Sequence, residues 1–260
     1  MSLAGCLLVP FVAFADDDND GRSGCKNLPG FSAVQSALTA TVSGGGNSGL
    51  GFNMWATVVN RDGIVCVVTF SGTDRGSQWP GSRVISAQKA NTSNAFSLPA
   101  FALSTANLYS AVQPGGTLYG LQHSNPVDTG VAYGGNSTNY GQPNDPMVGR
   151  KIGGVNVFGG GLALYSKEGT LVGAIGLSGD TSCTDHIIAW KVRHALNFDN
   201  VPAGVATGAP NGTDNIIFDI APDANGHPVS AGGFGHPSCS ASAASIGSAL
   251  PANFPVGPGQ

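Results

Sequence analysis

The chain has 260 residues, of which only 10% are charged, with 40 glycines, 16 prolines and a formal net charge of -4. That length buries a full core and suits one domain with insertions better than two small ones. The weakly acidic balance excludes a nucleic-acid partner, since counterion release needs a basic face, and the glycine and proline content points to a loop-rich globule.

The N-terminal stretch MSLAGCLLVPFVAFADDDND places an apolar run over residues 3–14 ahead of Ala13-Phe14-Ala15 and an acidic cluster. This is the pattern of a secretory signal over residues 1–15, too short for a membrane anchor, followed by an acidic leader over 16–30. A lipoprotein reading centred on Cys6 competes, but the apolar run continues past Cys6 to a better cleavage site. The expectation is export to the periplasm or the exterior. Signal removal leaves Cys25, Cys66, Cys183 and Cys239. Four cysteines allow three connectivities. The pairing expected is Cys25 with Cys66, tying the N-terminal segment to a strand, and Cys183 with Cys239, tying the tail to a helix start. The chain has no C-x-x-C spacing, so disulfides rank ahead of a zinc site.

Phe31, Val34, Leu38 and Val42 recur at helical spacing and stop at Gly44-Gly45-Gly46. Two valine-rich runs, 53–59 and 64–70, flank Asn60-Arg61-Asp62-Gly63, a hairpin signal. Residues 84–96 read as a second helix and 102–112 as a shorter one. Residues 115–153 are dense in Gly, Asn, Pro, Ser and Thr, the composition of a long surface insertion, functional or poorly ordered. A second hairpin, 161–165 with 170–177, turns at Ser166-Lys167-Glu168-Gly169 and leads into a helix. An edge strand is expected at 215–220, and the Ala-, Ser-, Gly- and Pro-rich tail over 241–260 is expected to fray. Two hairpins with helices around them make an α+β sandwich built on one antiparallel sheet, with a single domain over 31–240.

The stretch GAIGLSGDTSCTDHIIAWKVRH carries the candidate chemistry. Its G-x-x-G-x-x-G spacing is not a dinucleotide fingerprint, and Gly173 and Gly176 fall inside a strand. Small residues there permit close approach of a helix. Ser182 reads as the N-cap, with Asp185 a capping carboxylate or a catalytic acid. Ile188, Val192 and Leu196 form the core-facing row. His186, Trp190 and His194 stand at i, i+4 and i+8 on another side, where imidazoles could ligate iron and an indole could stack on a macrocycle; a plain solvent or interface face is the alternative. The proposed bridge would also bring His236 to this helix start.

The run GGGLALYSKEGTLVGAIGLSGDTSCTDH, the hairpin VVNRDGIVCVV and the segment SAQKANTSNAFS together resemble the GlcG/HbpS-like haem-binding proteins. The likeness covers roughly residues 31–197. Asn60 stands where that family commonly has aspartate, and the insertion is longer than usual. The resemblance implies a profilin-like fold with a five-stranded antiparallel sheet flanked by helices, assembly into homo-oligomers, and binding of haem or another tetrapyrrole. It also implies roles in ligand contact for Lys89 and for Thr105, in LSTANLY.

The reading is an exported tetrapyrrole-binding protein whose ligand, haem first, lies between a helix face and the insertion and is sequestered or oxidatively broken down. The site residues expected are Thr105, Lys89, Asp185, His186, Trp190 and His194, with His186 and His194 as iron ligands. Two alternatives stay open: a disulfide-tied structural or interaction module without cofactor, and a small-molecule enzyme using Asp185 and His186 as an acid–base pair.

Overall fold

The computed structural model describes residues 24–257; the signal and lipoprotein readings and most of the acidic leader lie outside the described residues. Helix α1 (Phe31–Ser43) is followed by strands β1 (Trp55–Asn60) and β2 (Val65–Phe70), helix α2 (Ser82–Phe96), the insertion, strands β3 (Gly161–Tyr165) and β4 (Leu171–Ser178), and helix α3 (Ser182–Ala195). The strands form one antiparallel sheet in the order β2-β1-β4-β3, so two local hairpins join through their β1 and β4 members.

The strands are buried on both faces because helices cover both. On one side Val84, Ala87 and Ala90 of α2 pack with Trp55, Val59, Val68 and Phe70. On the other, Val34 and Leu38 of α1 and Ile187 and Ile188 of α3 pack with Ala56, Val58, Ile175 and Leu177. Gly176 is where α2 lies closest to the sheet: a β-carbon there would sit 2.0 Å from the Ser86 carbonyl oxygen. The glycine in the strand therefore sets the helix-to-sheet distance.

The sheet has four strands, not the five implied by the resemblance. Instead of a fifth strand, the outer side of β3 meets side chains and loop backbone. Gly161 N–H donates to the Thr105 hydroxyl, Arg193 donates to the Ala163 carbonyl, and Tyr165 N–H donates to the Phe198 carbonyl. Residues 215–220 make no strand alongside it: Ile216 N–H donates to the His186 ring and the Asn215 carbonyl accepts from Asn107. Strands β5 (Ile220–Pro222) and β6 (Pro228–Ser230) pair separately as a small hairpin.

Two more expectations are corrected. Residues 102–112 form 3-10 turns rather than an α-helix, because Ser104 and Asn107 bond each other reciprocally and close the chain at i+3 spacing. The tail from Ala241 to Asn253 is helical rather than frayed. Helix α4 (Ala241–Asn253), capped by Ser240, packs its Ala243 and Leu250 into the α3 side of the core. The structure forms both expected disulfides, Cys25–Cys66 and Cys183–Cys239.

Candidate functional site

The insertion is ordered by one buried cation. Arg83, on the first turn of α2, forms a bidentate pair with Asp145, donates to the Ala132 carbonyl at 2.8 Å, and lies 3.6 Å from the centre of the Tyr140 ring. Asp145 in turn accepts from the backbone N–H groups of Gly141 and Met147. Both charges are removed from water, a costly arrangement unless every polar atom is paired, as here. The backbone of the insertion also joins the β2 edge, Val65 exchanging hydrogen bonds with Gly149 and Arg150.

Docked this way, the insertion closes one side of a cleft of about 400 Å³. Its opposite wall is the start of α2, with Pro80, Gly81 and Val84; Trp55 reaches it from β1; Tyr133, Ser137 and Tyr140 come from the insertion. Arg75 stands at its edge, exposed and without an ion-pair partner among the described residues. The volume falls in the range of about 300–1,000 Å³ typical of small-molecule sites, and the lining is mainly apolar and aromatic with few polar groups, as such sites are. None of the five histidines lines it.

Three of the six residues drawn from sequence, Lys89, Asp185 and Thr105, gather elsewhere. Lys89 Nζ lies 2.5 Å from Asp185 Oδ2 and 3.0 Å from the Leu177 carbonyl, and 4.8 Å from the Phe158 ring centre. Asp185 Oδ1 accepts from the N–H groups of Gly179 and Asp180. Burial raises the Asp185 pKa to about 6 against the pull of Lys89, and lowers that of Lys89. Asp185 thus bonds the backbone N–H groups at the entrance of α3 as well as Lys89. The N-cap is Thr181, one residue earlier than Ser182, because its side chain accepts from Thr184 N–H. Thr105 adjoins this group through Gly161, whose β-carbon would touch both Thr105 and Lys89.

His186 is fully buried; its Nε2 faces Asn215 Oδ1 at 3.2 Å and the Ile216 N–H at 3.1 Å, while Nδ1 has no partner among the described residues. Burial depresses its pKa to about 3. Asp185 and His186 share no hydrogen bond, each being directed to different partners. His236 does arrive at this helix start, accepting from Gly159 N–H at 3.4 Å, and its pKa falls to about 4 through burial.

Trp190 and His194 lie further along α3. The row they form with His186 is not a solvent face: Trp190 is fully buried, donates to the Phe254 carbonyl at 2.9 Å and lies 4.9 Å from the Arg193 guanidinium. Only His194 is partly exposed, and its Nδ1 sits 2.6 Å from Asp199. The row is covered by residues 198–257, which attach through the Cys183–Cys239 bridge, the Arg193–Asp214 pair and the Asn215 contact to His186. Among the described residues no group of three or more His, Cys, Asp or Glu side chains could hold a metal ion.

The cleft residues escaped the reading from sequence. Trp55 reads as ordinary strand core, and Tyr133 and Tyr140 lie in a glycine- and asparagine-rich run without periodicity. The available signal was two tyrosines seven residues apart in a segment otherwise made of small and polar residues.

A family model described as "Haem degrading protein HbpS-like" matches residues 32–193. Three solved structures are similar. Klebsiella pneumoniae protein ORFY is 23% identical, with 65% of this chain and 90% of that one covered and a TM-score of 0.43. A PduOC:heme complex is 22% identical, with 72% and 96% covered and a TM-score of 0.44. A double mutant of Streptomyces reticuli HbpS is 16% identical, with 75% and 99% covered and a TM-score of 0.42. At these scores the three likenesses carry no information about ligand or residue roles. No curated protein matches the sequence.

Proposed function

The chain belongs to the HbpS-like family of haem-degrading proteins, and from that premise we propose that it is an exported protein that binds a tetrapyrrole, haem foremost, in the cleft between α2 and the insertion. The observation that carries the reading is the cleft itself: aromatic and apolar walls with a cation at the edge suit a flat macrocycle with acidic side groups. Two disulfides suit an oxidising compartment.

In this reading Trp55, Val84, Pro80 and Tyr140 cover the faces of the macrocycle and exclude water. Arg75 pairs with a carboxylate at the edge. Arg83 and Asp145 hold the insertion in place as positioning residues, since both charges are already committed to each other. When bound, haem would supply iron redox chemistry, and the chain's part is to hold and orient it.

Gly81 provides the test. A β-carbon built there meets nothing within 4 Å, so a large side chain enters the cleft without displacing the fold. In an absorbance titration the wild type should show a saturable one-to-one shift with haem, and Gly81→Trp at least a tenfold weaker one, about 1.4 kcal/mol. Equal binding by both would remove the ligand from the cleft.

A second reading keeps Thr105, Lys89, Asp185, His186, Trp190 and His194 as the tetrapyrrole contacts. It is favoured by the unpartnered, buried Nδ1 of His186 and requires residues 198–257 to leave α3. Loss of binding in His186→Ala with retention in Gly81→Trp would select it. The homo-oligomer implied by the resemblance belongs to the same proposal and is read by light scattering.

A further inference from the structure

The groups in the cleft differ in what they leave free for a ligand. The Tyr140 hydroxyl donates to the Tyr133 and Gly134 carbonyls and its ring is stacked on Arg83. Arg83 is saturated by Asp145 and Ala132. The Trp55 indole N–H donates to the Trp79 carbonyl at 3.0 Å. What remains is apolar and aromatic surface, the exposed phenol of Tyr133, and the guanidinium of Arg75. Among the described residues no imidazole, thiolate or thioether lines the cleft, so the side chains that most often ligate haem iron are absent from its described walls.

Resting on the reading that the cleft takes a tetrapyrrole, we infer that the site recognises the macrocycle and its free carboxylates and not the metal. Its ligand class is a planar tetrapyrrole with acidic edge groups, and a metal-free porphyrin is a ligand of equal standing with haem. The apolar walls contribute through burial of the ring faces, which are nearly the same with or without iron. Arg75 contributes a charge-assisted, bidentate contact that needs an ionised carboxylate. Neither the apolar walls nor Arg75 offers the metal a donor atom.

The experiment titrates the full mature protein with haem, protoporphyrin IX and the dimethyl ester of protoporphyrin IX, and repeats the series on Arg75→Gln and Tyr133→Phe. The expected result is dissociation constants for haem and protoporphyrin IX within about threefold of each other. The diester should bind about tenfold more weakly, a gap that disappears in Arg75→Gln, as a lost hydrogen bond to a charged group implies. Arg75 is exposed and has no ion-pair partner among the described residues, so Arg75→Gln should melt with the wild type. Haem bound a hundredfold more tightly than protoporphyrin IX would overturn the inference while leaving the binding reading intact, and loss of that preference in Tyr133→Phe would assign the iron to a phenolate. A diester gap that persists in Arg75→Gln would overturn the role of Arg75. Binding of neither macrocycle would overturn the binding reading itself, and the inference with it.

Discussion

The buried Lys89–Asp185 pair shows what a single residue decides in this fold. Both side chains are almost wholly removed from water, and each is satisfied by backbone as well as by its partner. Lys89→Met strands a buried carboxylate and should cost about 3–5 kcal/mol in a denaturant melt. Lys89→Met with Asp185→Leu should recover part of that loss, because the double variant leaves no unpaired charge. The histidines act on stability through pH. His186 and His236 titrate near 3 and 4 when folded, against 6.5 unfolded, so the unfolded chain binds more protons between those values and stability falls as pH drops below about 6.5. Each contributes about 2 kcal/mol of loss by pH 5. Asp185, raised to about 6 by burial, opposes them, since its folded form takes up a proton first on acidification. The expected net loss from pH 7 to pH 5 is about 2–3 kcal/mol, seen as a falling melting temperature. A flat profile over that range would remove the buried neutral histidines from the account.

Among the elements, the segment over residues 198–257 has the largest effect on what the rest of the chain can expose. It lies beyond the span matched by the family model and covers α3 through a disulfide, an ion pair and helix packing. Cys183 and Cys239 are 56 residues apart, and replacing both with serine should cost about 2–4 kcal/mol. Hydrogen exchange should then quicken first in α4. The same segment marks where sequence ceased to be informative. Periodicity located α1 and α2, the Asp-Gly and Glu-Gly turns located both hairpins, and Gly173 and Gly176 were read as strand glycines. Those signals are local. The burial of Trp190 and His186 depends on Phe254 and Asn215, far along the chain, and no pattern within α3 records it. The absent fifth strand has the same cause: Arg193 and Thr105 reach the β3 edge from other elements.

At the scale of the whole molecule, the insertion and α2 together make a cleft that neither makes alone. Arg83 joins them, and Arg83→Met should leave Asp145 buried without its partner. The expected outcome is an insertion that exchanges amide hydrogens faster, with loss of tetrapyrrole binding while the sheet remains folded. The family resemblance reached the correct family from dispersed motifs but not the cleft, because Tyr133, Tyr140 and Arg75 lie outside those motifs. The central claim is that the macrocycle lies in this cleft and not against α3, and hydrogen exchange with and without haem tests it most directly. The account predicts slowed exchange at residues 75–84 and 133–140, with residues 198–257 unchanged. An unchanged cleft with faster exchange across 198–257, the segment that would have to leave α3, would contradict it.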